Sequence, residues 1–202
     1  LYSADAAVHN TLVGAPGFDD TVQGIRNAAA AGLIVSVNTP LCSLNRDYAE
    51  TLRFIHGLGV RYVTCSGLIP TGSAAGEESR ATRLSQEELT DILRRAAETA
   101  HGLGMELDFT SPGWLPDAVL LDLGFTQVPS CGACLSNMAV APDGTVLPCQ
   151  SWLREGAGLG NILHDPWHKI WNVPACRRVR EESAKMEHIC QLGTTVPAQG
   201  GL

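Results

Sequence analysis

The chain has 202 residues, 45% of them hydrophobic, with 14 Lys and Arg against 21 Asp and Glu for a formal charge of −7. At ~100–200 residues per domain this is enough for one buried core and a smaller appendage, and the acidic balance argues against a nucleic-acid partner. No apolar run reaches the ~18 residues of a membrane span and the first residues lack the zones of a signal peptide, so a cytoplasmic chain with no membrane contact is expected.

In chain order, Leu1 to Asp5 reads as the short start of a strand. Phe18, Val22, Ile25 and Ala29 then mark one face of a helix that Gly32 ends, and Leu33 to Val37 follows as an apolar strand closing at Asn38 and Thr39. Tyr48, Leu52 and Ile55 line a second helix, broken at Gly57 and Gly59 before a strand from Val60 to Cys65. The third unit opens on a capping box, Ser85 with Glu88, carries Leu89, Ile92, Leu93, Ala96 and Ala100 on one face, and passes Gly104 into a strand from Met105 to Phe109. Helices alternating with strands in this way imply an α/β fold with a parallel sheet, whose ligands sit beyond the carboxyl ends of the strands. About four strands fit, whereas a complete eight-unit barrel needs ~250 residues.

Residues 111–130 read as a connector, with a turn at Ser111 to Trp114 and a short helix between Leu115 and Leu123. The composition then shifts to cysteine, proline and tryptophan, which separates a region 1–110 from a second domain, 131–202. In that second domain Asp143-Gly144 signals a hairpin joining 137–141 to 145–149, which returns Cys149 toward Cys131 and Cys134. Asp165 before Pro166 reads as the N-cap of a helix through Ile170 and Trp171, and a further helix spans about 174–185.

Seven cysteines, clustered in the last third of a chain too large to need disulfide staples, point to soft-metal binding in a reducing compartment. Cys42 and Cys65, far from the others, read as buried small hydrophobes. Cys131, Cys134 and Cys149 would supply three thiolates, with Cys190 or Cys176 as a fourth. Such a set suits an iron–sulfur cluster, and a zinc ion with His188 as a possible ligand is the alternative. No Ser, His and acid grouping stands out, and no Walker phosphate loop is present.

Cys131-x12-Gly144-x4-Cys149, followed by Gly160-Asn-Ile162 and Ile170-Trp171, resembles the SPASM domain appended to many radical S-adenosylmethionine (SAM) enzymes. Upstream, Ser3-Ala-Asp5, His9-Asn10, Gly17-Phe18, Val35 to Asn38, Asn45 and Ile69-Pro-Thr-Gly72 resemble the radical SAM barrel from its third strand onward. The resemblance implies the C-terminal portion of a partial (βα)6 TIM-like barrel followed by a small Cys-rich SPASM domain of hairpin and short helices. It also implies an enzyme that modifies a peptide or protein through a 5′-deoxyadenosyl radical and draws on an external electron donor. Its cofactors would be SAM and an auxiliary [4Fe-4S] cluster on Cys131, Cys134, Cys149 and Cys190, with Ser3, Asn38, Leu68, Ile69 and Pro70 toward SAM.

The Cys-x3-Cys-x2-Cys loop that holds the SAM-cleaving cluster in that family does not occur in these residues, so the resemblance implies a fragment that does not cleave SAM by itself. In the family the place of Cys190 begins a Cys-x2-Cys-x5-Cys-x3-Cys run; its second place is Gly193 here and its third Gln199. A non-catalytic metal-binding interaction module derived from the same family is the other reading.

Overall fold

A computed structural model of the chain describes residues 1–69, 76, 82–152, 156–185 and 189–192. These fall into two compact units. The first comprises described residues of 1–68, 77–111 and 115–128, and the second those of 69–76, 112–114 and 129–202.

The first unit opens with helix α1, Ala6–Val13, rather than with a strand. The Asp5 carboxylate accepts from the Ala7 and Val8 N–H groups at 2.8 and 3.0 Å, the N-cap arrangement that satisfies otherwise orphaned donors. Residues 1–3 are instead tied down by side chains: Thr39 Oγ1 donates to the Leu1 carbonyl at 2.8 Å and Asn45 Nδ2 to that of Tyr2 at 2.8 Å. Helix α2, Phe18–Ala30, buries Val22 and Ile25 of the expected stripe.

The strand after it is β1, Ser36–Leu41, three residues later than the apolar run suggested. Leu33 closes the end of α2 through its N–H to the Ala28 carbonyl, and Leu33 and Ile34 are 64% and 85% exposed. Helix α3, Tyr48–Gly57, leads to β2, Tyr62–Gly67; helix α4, Gln86–Leu103, leads to β3, Glu106–Phe109. The sheet is parallel in the order β1-β2-β3, with Ser36 opposite Tyr62 and Tyr62 opposite Glu106. Pro40 is tolerated because β1 lies at an edge.

Val37, Thr39, Leu41, Val63, Cys65 and Phe109 form the buried face of this sheet. The mutually packed helices α3 and α4 add Leu52, Ile55, Leu89, Ile92 and Leu93 to the core. Each such side chain contributes roughly 1.5–3 kcal/mol by leaving water. Cys42 and Cys65 are buried there as small hydrophobes, and burial pushes the Cys65 thiol far above its ordinary range, with the Asp108 charge adding to the shift. Leu115–Val128, read in the sequence as connector, packs within this unit through Leu115, Leu120 and Phe125 around helix α5, Asp117–Asp122.

The second unit holds an antiparallel hairpin of β4, Ala139–Val140, and β5, Val146–Leu147, then helices α6, Trp167–Asn172, and α7, Pro174–Lys185. The N-cap of α6 is Pro166, one residue past the expected Asp165. The Asp165 carboxylate is engaged elsewhere, accepting from the Asn161 N–H at 2.8 Å. No helix of the described residues is long and apolar enough to cross a membrane.

The capping box opens α4 as expected: Ser85 Oγ accepts from the Glu88 N–H at 3.1 Å, and Glu88 Oε2 accepts from that of Ser85 at 2.8 Å. The backbone bond to Ser85 and then the Arg46 guanidinium hold the Glu88 carboxyl below its ordinary range. Ser85→Ala should cost about 1 kcal/mol in urea unfolding at neutral pH. Because the folded carboxyl titrates below the unfolded one, the Glu88 contribution is present above the unfolded value of ~4.3 and is lost as pH falls through the folded one. The stability difference between wild type and Glu88→Gln should therefore shrink in acid, and an unchanged difference at pH 3 would refute this account.

Candidate metal centre

The cysteine loop of the second unit is a tight turn built on one carbonyl. The Gly132 oxygen accepts from the N–H groups of Leu135, Ser136 and Asn137, while the Cys134 N–H donates to the Asn137 and Pro148 carbonyls at 3.1 and 3.0 Å. Cys134 has φ 54°, the single left-handed non-glycine residue among those described. That conformation costs an L-residue about 1–2 kcal/mol, and these backbone bonds hold it there.

The loop and hairpin place the thiols in two neighbourhoods. Cys131, 9% exposed, packs with Ala133 and Trp152, and half-buried Cys149 and Leu192 pack against that cluster. Burial raises the Cys149 thiol above its ordinary range, and the neighbouring Cys190 and Cys131 thiols raise it further. Cys131 and Cys190 thus each lie within electrostatic reach of Cys149, as does Cys134. Cys134 belongs to the adjoining cluster of Val146, Leu159, Ile170 and Cys176. Burial pushes its thiol up to about 12, helped by a hydrogen bond to the Cys176 thiol and opposed by the Arg180 charge.

Polar side chains flank the first group. Ser183 Oγ lies 3.7 Å from Cys131 Sγ and donates to the Ala133 carbonyl at 2.6 Å. Gln191 Nε2 is 3.9 Å from the same sulfur and donates to Ser183 Oγ at 2.6 Å and the Val179 carbonyl at 3.0 Å. Gln191 Oε1 is buried and lacks a partner among the described residues. Neither Ser183 nor Gln191 was singled out in the sequence, although Ser183 falls one helical turn beyond Val179 on the inward side of α7.

A single tetrahedral zinc would bring thiolates within ~3.8 Å of one another, given Zn–S bonds of ~2.3 Å. Among the described residues no three His, Cys, Asp or Glu side chains converge in that way. The donors are soft and partly buried, the type an iron–sulfur cluster takes, and a cluster spreads its thiolates more widely than one ion does. Cys131, Cys149 and Cys190 offer thiols of that type, and Cys134, also expected as a ligand, packs in the adjoining cluster. His188, Gly193 and Gln199 lie outside the described residues.

The Gly160-Asn-Ile162 motif proves to be a clasp on the hairpin. Asn161 Nδ2 donates to the Asp143 carbonyl at 2.8 Å, its Oδ1 accepts from the Leu163 N–H at 2.9 Å, and the Ile162 N–H donates to the Gly144 carbonyl at 2.9 Å. Gly144 has φ 85°, and a Cβ there would stand 2.6 Å from Asn161 Oδ1 and 2.8 Å from Leu163 Cγ. Ile170 is buried in one cluster with Val146 and Leu159. Trp171 lies beneath the Arg180 guanidinium, 3.7 Å from its ring centroid.

The residues expected to face SAM are placed separately. Ser3 is buried, and its Oγ accepts from the Asp5 N–H at 3.0 Å. Asn38 is exposed on the open face of the sheet, where its Oδ1 accepts from Thr64 Oγ1 at 2.9 Å. The register continues from Thr64 to Asp108, giving a polar row across three strands. Thr64 and Asp108 were not singled out in the sequence; the burial of Val63, Cys65 and Phe109 on alternate positions is the signal that marks them. Leu68 and Ile69 are half-buried, and Pro70 lies outside the described residues.

The hairpin unit with its clustered thiols and the parallel α/β unit each find a counterpart among known proteins. The family model of the SPASM domain, an iron–sulfur cluster-binding domain, matches residues 131–192. Over 90% of this chain and 51% of the other, the structure is similar to that of native anSMEcpe with bound AdoMet, with a TM-score of 0.59 and 13% identity. Residues 131–192 are thus similar to the SPASM domain, on a chain whose fold is similar to that of this AdoMet-bound structure. The chain spans about half the length of that solved structure. No curated protein matches it.

Gly144→Ala should destabilise the second unit by more than 1 kcal/mol, through the left-handed backbone and the displaced Asn161. Loss of near-UV circular dichroism from Trp152 and Trp171 at a lower temperature than in wild type would show it; an unchanged transition would refute the clasp.

Proposed function

We propose that the chain is the C-terminal part of a radical SAM enzyme that modifies a peptide or protein, with one auxiliary cluster held by Cys131, Cys149 and Cys190. The observation that carries this reading is the gathering of these three thiols beside the Ser183 and Gln191 donors, within the SPASM match. When bound, an iron–sulfur cluster supplies one-electron transfer or a Lewis-acidic iron. The chain's own part is to hold the thiols, to exclude water with Trp152 and Leu192, and to direct the Gln191 N–H toward the Cys131 sulfur. Hydrogen bonds to cluster sulfurs are among the levers that set potential.

The open face of the sheet would receive SAM and substrate. Its row of Asn38, Thr64 and Asp108 offers a donor-acceptor amide, a hydroxyl and a carboxylate to a nucleoside or peptide. In the complete enzyme SAM would be the source of the 5′-deoxyadenosyl radical, with an external electron donor and a cytoplasmic setting; neither nucleic acid nor membrane enters this reading.

Iron, sulfide and zinc analysis of the chain reconstituted without oxygen tests the cluster. About four irons and four sulfides per chain are expected, lost in Cys131→Ala, Cys149→Ala and Cys190→Ala. One zinc with no iron would overturn the reading.

A further inference from the structure

Cys134 and Cys176 are both fully buried and pack in one apolar cluster with Val146, Leu159 and Ile170. One side chain fixes both ends of the pair. Arg180 Nε donates to the Cys134 carbonyl at 2.9 Å, and Nη2 donates to Cys176 Sγ at 3.1 Å and to the Trp171 carbonyl at 2.7 Å. Its guanidinium lies over the Trp171 ring, so it has little freedom to move away. The left-handed backbone at Cys134 is held by two hydrogen bonds of its own N–H.

We propose that Cys134 and Cys176 are a second thiol centre, separate from Cys131, Cys149 and Cys190, that closes reversibly to a disulfide between the cysteine loop and α7. A metal is the less suitable occupant. A fixed cation 3.1 Å from the Cys176 sulfur opposes a metal ion. A disulfide needs two sulfurs and no third donor.

The oxidant is a hydroperoxide. Two S–H bonds break and one S–S bond forms; the two electrons and two protons cleave the O–O bond of hydrogen peroxide to give two waters. A small dithiol reverses the reaction by exchange, returning two hydrogens and leaving as its own cyclic disulfide. Both sulfurs are buried, so the reaction waits on local opening of the 132–137 turn.

The proposal rests on the reading of Cys131, Cys149 and Cys190 as the cluster ligands, and the test separates the two. The metal-free chain is treated with hydrogen peroxide, alkylated, and mapped by mass spectrometry without reduction. A peptide crosslinked through Cys134 and Cys176 is expected, absent in Cys176→Ser and removed by dithiothreitol, with a thermal midpoint that rises on oxidation of wild type. Absence of that crosslink in wild type, or a crosslink from Cys134 to Cys131, Cys149 or Cys190, overturns the proposal. In the reconstituted chain, Cys134→Ala and Cys176→Ala should retain the wild-type iron content. Loss of iron in either variant would make the pair part of the cluster, overturning this proposal while leaving the iron–sulfur reading in place.

Discussion

The second unit depends on the Arg180 guanidinium. Among its described residues it has two two-residue strands and two helices, little regular structure to satisfy the backbone of its loops. Its main buried cluster amounts to Cys134, Val146, Leu159, Ile170 and Cys176. A core of that size cannot hold a loop by apolar contact alone. Arg180 bonds the carbonyl of Cys134 on the loop, the carbonyl of Trp171 at the end of α6, and the sulfur of Cys176 on its own helix. The distant cysteine loop, the end of α6 and the first turn of α7 are thereby referred to one planar group, whose fork geometry a lysine could not reproduce.

The same economy recurs around it. Asn161 serves the hairpin turn, Asp165 serves Asn161, and Ser183 with Gln191 serves the loop at Ala133. Each is a polar side chain doing what a sheet ladder or a helix does for itself in the first unit. There the work falls to ordinary means: parallel pairing of β1 to β3, a capping box on α4, and apolar faces on α3 and α4. The two units are thus stabilised by different physics, one by buried area and the other by convergent hydrogen bonds around few apolar residues.

This difference explains what could be read beforehand. Helices α2, α3 and α4 were legible from their apolar period, and α4 lies where Ser85 and Glu88 put it. The parallel α/β fold followed from their alternation with strands. The start of β1 was misplaced because Leu33 and Ile34 are apolar yet exposed, and only pairing with β2 shows where the ladder begins. Asp5 was read as strand because a single capping residue outweighs the pattern of four neighbours. In the second unit, cysteine spacing revealed the presence of a thiol site. It could not divide the thiols, because the direction of Cys134 depends on a left-handed backbone and on Arg180, which is 46 residues away in sequence.

Two thiol populations with different surroundings follow from that division. Cys149 and Cys190 are half-buried, and Cys131 is buried beside the Ser183 hydroxyl and the Gln191 amide. Cys134 and Cys176 have no solvent contact, and their polar neighbour is a cation already engaged by two carbonyls. Desolvation pushes the Cys134 thiol up to about 12, and turning this one residue of the loop inward places it in a different cluster from Cys131.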